Sequence, residues 1–227
     1  LLVNTNRESS PLPVLPIGLC QLASAVAQAG IPCEVADLCF ARRPHEVLRR
    51  ALLRSRPRLV GVTIRNVDNC DFQAPIYYLP FVRELIEVIR EVAPDIPVVI
   101  GGTGTSLAPE QVLAAVGADL AVAGPGDRVF PELYRRLVEG GEPLADQPRV
   151  QRGSPDDGED TPGAQFARWL DLAPYRRWGV PLSAQSRRGC PFRCIYCEYA
   201  HIEGGAPYLL RDVDDVVEGI ERAVRST

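Results

Sequence analysis

Three cysteines crowd one short stretch, "RRGCPFRCIYCEYA", at residues 187–200. Cys190, Cys194 and Cys197 are spaced C-x3-C-x2-C. Thiolates bind soft metals, and three of them on one loop can hold three irons of a 4Fe–4S cube, leaving the fourth iron open to a substrate or cofactor. Zinc would need a fourth ligand, and His201 follows Cys197 by four residues. C-x3-C-x2-C-x3-H is not a common zinc spacing, however, and no second pair of ligands accompanies it. A redox dithiol formed by Cys194 and Cys197 would leave Cys190 without a role. The cluster accounts for all three thiols; zinc and dithiol are the weaker readings. Cys20, Cys33, Cys39 and Cys70 are scattered in apolar or loop contexts and read as small buried hydrophobes.

The elements that must position this loop fill most of the chain. At 227 residues and 46% hydrophobic, it can bury one large domain, or one domain and part of another. A net charge of −4 and a pI near 5.3 argue against a nucleic-acid partner, which needs concentrated positive charge. Every basic residue is Arg. With no Lys in this stretch, a Walker A lysine, a pyridoxal-phosphate Schiff base and a kinase-type lysine are excluded from it. Met is absent too, so residue 1 is expected to lie downstream of the translation start. No run reaches the roughly 18 apolar residues of a membrane span, and no signal-peptide pattern is present. The chain therefore reads as cytoplasmic, with no membrane partner. In that compartment clustered cysteines signify metal or redox chemistry rather than disulfides.

Residues 1–141 alternate strand and helix signals. Short apolar runs at 1–5, 33–38, 58–64, 96–102 and 118–124 read as strands. Helical spacing marks 17–30, 45–55, 77–92, 109–117 and 128–141. Such alternation implies right-handed β-α-β units, and strands rich in Val, Ile and Leu imply a sheet covered on both faces. The expected fold class is α/β, a flavodoxin-like (Rossmann-type) doubly wound parallel sheet. Residues 142–181 read as a linker, rich in Gly, Pro and Asp to about residue 166, with room for one short extra strand. Its second half, "ARWLDLAPYRRWGVP", carries both tryptophans and is expected to pack. Within 182–227, "LSAQSRRG" reads as a strand leading into the cysteine loop, and 212–226 as an amphipathic helix.

Ligands of open α/β sheets bind beyond the carboxyl ends of the strands. The loops there are "NTNRESS" (4–10), "RNVDN" (65–69), "GGTGTS" (101–106) and "GPGDR" (124–128). Glycine lets backbone approach a ligand closely. None of the loops is a G-x-G-x-x-G after the first strand, so a dinucleotide fingerprint is not supported. A plain tight turn is the alternative for "GGTGTS", and loop capping the alternative for Asn66 and Asp68.

"CPFRCIYC" resembles the signature loop of the radical S-adenosylmethionine superfamily, with Tyr196 as the aromatic residue before the last cysteine. A flavodoxin-like domain, a linker and then this loop are together similar to the cobalamin-binding radical S-adenosylmethionine enzymes. "VVIGGTGTSLAPEQVL", "ADLAVAGPGDRVFPEL", "RNVDN" and "GCPFRCIYCEYAHIEG" carry the likeness, which spans residues 1 to about 215. The resemblance implies that Cys190, Cys194 and Cys197 ligate a 4Fe–4S cluster. The open iron would bind S-adenosylmethionine, with Phe192 and Tyr196 beside it and the Tyr196 backbone at the adenine. Cobalamin would sit on the strand ends with its nucleotide tail near Gly101, Gly102, Thr103, Gly104, Thr105 and Ser106. Thr5, Asn6, Arg65, Asn66, Asp68, Gly124 and Gly126 would complete its contacts.

The function so implied is a cobalamin-dependent radical S-adenosylmethionine enzyme, a methyltransferase using methylcobalamin and a 5′-deoxyadenosyl radical. The alternatives are a non-methylating cyclase or ring-rearranging enzyme with the same cofactors, and a non-catalytic corrinoid or metal-binding module. A methylthiotransferase acting on RNA is disfavoured, because Cys20, Cys33 and Cys39 lack a second-cluster pattern. The expected partners are a small-molecule or peptide substrate and an electron donor of flavodoxin or ferredoxin type. Two departures stand out. Cobalamin domains with an Asp-x-His-x-x-Gly motif after the first strand ligate cobalt through its His, yet here the sequence is "NTNRES". His45 and His201 are the only histidines, so no histidine ligand to cobalt is expected, and Arg65, Asn66 and Asp68 are candidates for the lower face. "GPGDR" stands where relatives often have Gly-x-Gly-Glu, placing Asp127 at the acidic position. A barrel needs on the order of 200 residues. Residues 182–227 are therefore expected to hold only its first strand, loop and helix, a fragment inactive alone.

Overall fold

Valine-rich strands too short to stand alone pair into one parallel sheet in the computed structural model, which describes residues 1–154, 163–192, 194–202 and 209–225. Of Ala200 and His201 it describes only the backbone. The strands are β1 (Leu2–Asn4), β2 (Val35–Asp37), β3 (Val60–Thr63), β4 (Val98–Gly101), β5 (Leu120–Ala123) and β6 (Val150–Arg152). Their order is β2-β1-β3-β4-β5-β6, every pairing parallel. Five of the six coincide with the apolar runs, and β6 takes up the extra strand allowed for in the linker. The fold is α/β and Rossmann-like, and the order reverses between β1 and β3, where sheets of this kind open a crevice.

Helices close both faces. α1 (Ile17–Gln28) packs on one side, α2 (Pro44–Ser55) and α3 (Leu79–Val92) on the other. The chain continues through α4 (Thr103–Leu107), α5 (Pro109–Val116) and α6 (Val129–Tyr134), which is prolonged by a π turn at Arg135–Glu139. Leu48, Leu52, Leu85 and Ile89 from α2 and α3 meet Val60, Val62 and Ile100 of the sheet in one core. Leu19 of α1 and Phe130 and Leu133 of α6 meet Leu2, Val99 and Val122 in the other. The covering of both faces explains why the strands read as continuous apolar runs rather than as alternating ones. α4 falls where a glycine-rich loop was expected. Its turn forms because Thr105 Oγ1 donates to Gly101 O at 3.1 Å and Ser106 Oγ to Gly102 O at 3.0 Å.

The second half of the linker is an ordered brace. α7 (Phe166–Trp169) and α8 (Ala173–Arg177) bring Phe166, Leu170, Leu172 and Tyr175 into a third core with Leu15, Cys20 and Cys39. Trp169 Nε1 donates to Ser24 Oγ at 2.8 Å, whereas Trp178 stays exposed, so only one of the two tryptophans packs as expected. Residues 155–162 of the linker lie outside the described residues. Tyr175 Oη donates to Asp37 Oδ2 at 2.9 Å, and Asp37 Oδ1 accepts from Asn4 Nδ2 at 2.8 Å and Cys39 N at 3.1 Å. Burial, then the Asp37 charge, pushes the Tyr175 phenol well up, so it remains a donor. Tyr175→Phe should therefore cost about 1–3 kcal/mol, because it leaves that carboxylate oxygen short of a donor. The urea midpoint measures the loss, and an unchanged midpoint would mean that the brace does not depend on this bond.

A second, two-stranded antiparallel sheet pairs β7 (Arg187–Arg188) with β8 (Leu209–Leu210). The expected strand at 182–189 is thus reduced to two residues. Gln185 is drawn instead to α1, where Gln21 Nε2 donates to its Oε1 at 2.6 Å. After the cysteines come α9 (Tyr199–Ile202) and then α10 (Val213–Arg225), which leaves Val213, Val217, Ile220 and Val224 exposed. No helix among the described residues is long and apolar enough to cross a membrane.

Candidate functional site

A cleft of about 390 Å³ opens at the carboxyl ends of β1, β3, β4 and β5, at the reversal point of the sheet. From the strand ends it descends between α1 and the sheet onto Leu2, Val99, Val122 and Phe130. Its floor is apolar and its rim polar, the usual make-up of a small-molecule site.

The rim comes from the loops singled out in the sequence. Asn6, Arg65, Gly101, Gly102, Thr103, Ser106, Gly124 and Gly126 all line the cleft. Gly102 is required by its backbone: its φ is +99°, and a Cβ there would stand 2.7 Å from Ile64 O. Ser106 Oγ also accepts from Gly124 N at 2.9 Å, tying the β4 and β5 loops together. Asn6 Nδ2 is buried at the cleft with no hydrogen-bond partner among the described residues. A buried donor left unmade is costly, so this atom is suited to an acceptor on a ligand.

Other expected contacts stand behind this wall. Thr5 Oγ1 donates to Thr63 O at 2.6 Å, and Thr105 is fully buried against Gly101. Gly104 packs on the Asn66 backbone, where an added Cβ would come within 3.1 Å. Asp68 Oδ1 accepts from Cys70 N at 2.8 Å, which is loop capping. Asp127, in the "GPGDR" loop, stands on the wall as well, whereas the α1 side of the cleft, Ile17 to Leu22, and Gln185 and Arg188 carried no local signal for it.

The cysteine loop abuts the same cleft, because Tyr199 and Ile202 of α9 form part of its wall. Cys190 and Cys197 are half-buried and Cys194 is exposed, with Cys197 N donating to Cys194 O at 3.0 Å. Among the described residues no three His, Cys, Asp or Glu side chains are gathered as a metal site, so the structure brings the three thiols to one loop but not to one point. Phe192 and Tyr196 are exposed beside them. The His201 side chain lies outside the described residues. His45, on α2, does not line the cleft, and its Nε2 is 3.1 Å from Glu84 Oε2. Of the other cysteines, Cys20 and Cys39 are buried as expected, and burial pushes the Cys39 thiol to about 11. Cys33 is half-buried. Cys70 is exposed, contrary to expectation, in the loop after β3, where its φ is 55° and its N–H donates to Asp68 Oδ1.

Residues 4–134 match the B12-binding domain family. The chain belongs to that family. It is 36% identical over 145 residues to tryptophan 2-C-methyltransferase of Streptomyces laurentii, covering 61% of this chain and 23% of that one. It is 28% identical over 199 residues to the anaerobic magnesium-protoporphyrin IX monomethyl ester cyclase of Rubrivivax gelatinosus, covering 78% of this chain and 33% of that one. The radical S-adenosylmethionine methyltransferase TsrM from Kitasatospora setae, solved with cobalamin and a 4Fe–4S cluster bound, superposes with a TM-score of 0.81 at 28% identity. That match covers 99% of this chain and 46% of TsrM, so the chain spans less than half the length of each of these proteins.

Proposed function

We propose that the chain is the cobalamin-binding part, and the beginning of the radical S-adenosylmethionine part, of a methyltransferase. One juxtaposition carries this reading: α9, which starts two residues after Cys197, walls the glycine-rimmed cleft. Cofactors held at the cleft and at the cysteine loop would then share one neighbourhood. When bound, cobalamin would carry the transferable methyl group and the cluster would supply an electron to S-adenosylmethionine.

The chain's own residues have distinct tasks in this reading. Cys190, Cys194 and Cys197 would ligate the cluster, and Phe192 and Tyr196 would flank S-adenosylmethionine. The apolar floor formed by Leu2, Val99, Val122 and Phe130 would take the nucleotide tail and exclude water. Asn6 Nδ2 would donate to one of the amide oxygens that fringe a corrin ring. The bare backbone at Gly101, Gly102, Gly124 and Gly126 would let the ring approach the strand ends. A small-molecule or peptide substrate and an electron donor of flavodoxin or ferredoxin type would complete the system, in the cytoplasm and without nucleic acid or membrane.

Anaerobic reconstitution tests the reading. The chain extended over the relatives' full length should bind one cobalamin and about four irons, and cleave S-adenosylmethionine. Tightly bound zinc in place of iron would point instead to a non-catalytic module. The cyclase relative favours a second reading, a non-methylating enzyme with the same cofactors. Methyl-labelled S-adenosylmethionine separates the two, because only a methyltransferase passes label to product.

Histidine ligation of cobalt is not expected. His45 is held by Glu84 on α3 and does not line the cleft. His45→Ala should therefore leave the spectrum of bound cobalamin unchanged. A histidine-ligated signal that this substitution abolishes would refute the assignment.

A further inference from the structure

The loop after β5 and the strand entering the cysteine loop are joined by a desolvated ion pair. Arg188 Nη1 donates to Asp127 Oδ2, and the two side chains are only 12% and 5% exposed. Among the described residues the next most buried pair, Arg90 with Asp119, is 30% and 23% exposed. Asp127 and Arg188 both line the cleft, and Arg188 stands two residues before Cys190. The Gln21–Gln185 hydrogen bond fixes the same segment to α1 from the other side. Arg211 is near as well: its N–H donates to Ser186 O at 3.0 Å, and burial lowers the pKa of its guanidinium, which Asp215 first and Asp127 to a lesser extent draw up.

Removing two charges from water is costly, and their attraction offsets that cost only when the geometry is good. A buried pair therefore adds little to stability compared with apolar packing, but it penalises every arrangement in which one charge is left alone. We propose that Asp127 and Arg188 are positioning residues, a latch that holds the cysteine loop at a fixed place over the cleft and so fixes the separation of the two cofactor sites. The proposal rests on the reading of those sites given above. Asp127 is the less exposed member of the pair and the one on the β5 loop, so its carboxylate is the group to remove.

The first arm is hydrogen exchange on the cofactor-free full chain. In Asp127→Asn the amides of residues 185–192 should exchange at least about tenfold faster, while β3 and β4 keep their wild-type rates. Asp127→Glu, which keeps the carboxylate, should stay within about threefold of wild type. Unchanged exchange at 185–192, or loosening of the whole sheet in step with it, would overturn the latch. The second arm uses protein loaded with cob(II)alamin and a reduced cluster, and reads the magnetic interaction between the two centres. That interaction should weaken or broaden in Asp127→Asn and persist in Asp127→Glu. A wild-type interaction in Asp127→Asn would overturn the positioning role. Should wild-type protein take up neither cofactor, the functional reading fails, while the exchange arm still decides whether the latch exists.

Discussion

Replacing Cys190, Cys194 or Cys197 with alanine is expected to abolish iron uptake. On the function proposed above, the wild-type protein extended over the relatives' full length and reconstituted under anaerobic conditions should hold about four irons and four sulfides, and each single variant close to none. The size of the effect follows from the ligand set. A cube held by three thiolates has no spare protein donor, and removing one leaves two irons open to solvent and to chelators. The three cysteines are on a loop whose side chains are half-buried or exposed, so metal can reach them, and truncation opens no core cavity. Cys39→Ala serves as the control. Its thiol is buried against Leu15 and Tyr175 and held in the protonated form near pH 7 by a pKa of about 11, so iron content should not change. Cobalamin uptake by the three loop variants should match wild type, since none of these cysteines lines the cleft. Iron and sulfide analysis alongside cobalamin titration checks both expectations. A loop variant that keeps four irons would remove that cysteine from the ligand set, and one zinc held through Cys190, Cys194, Cys197 and His201 would replace the cluster reading altogether.

Most of the sheet was legible because burial on both faces leaves a local mark. β3, β4 and β5 are short, buried apolar runs that close on or beside Thr63, Gly101 and Gly124. The rim of the cleft was legible for a related reason: glycines clustered just after strands have few other uses in a doubly wound sheet. What escaped has no local signature. α4 depends on Thr105 and Ser106 bonding back to carbonyls four residues earlier, and such residues read equally well as loop. The strand expected at 182–189 shrank because Gln185 found Gln21, which lies 164 residues away in sequence. The Asp127–Arg188 pair spans 61 residues, and neither residue differs in type from many other charged positions in the chain. Pairings of this kind are set by the topology, which brings the β5 loop and the cysteine segment to the same end of the sheet.

Valine at position 126 should weaken cobalamin binding while leaving the fold intact, and alanine at position 102 should disturb both. The contrast comes from what each new side chain meets. A Cβ at Gly126 would have as its nearest atoms Leu22 Cδ1 at 3.7 Å and Val122 Cγ1 at 3.8 Å, ordinary contacts that require no backbone shift. The two methyl groups of valine would enter the cleft that Gly126 lines. Displacing a ligand from a few ångströms of close approach forfeits contact and desolvation together. An affinity loss of about 10- to 100-fold, or about 1.4–2.8 kcal/mol, is expected, with the denaturation midpoint within about 1 kcal/mol of wild type. At Gly102 the φ of +99° disfavours any side chain, and a Cβ would press to 2.7 Å of Ile64 O and 2.8 Å of Thr63 Oγ1. Relief requires the end of β3 or the start of α4 to move. Gly102→Ala should therefore lose about 1–3 kcal/mol of stability as well as affinity. Equilibrium titration with cobalamin, paired with urea unfolding of the same samples, separates the two effects. If Gly126→Val binds cobalamin as tightly as wild type, the corrinoid does not occupy this cleft, and the polar rim from Asn6 to Ser106 must serve another ligand.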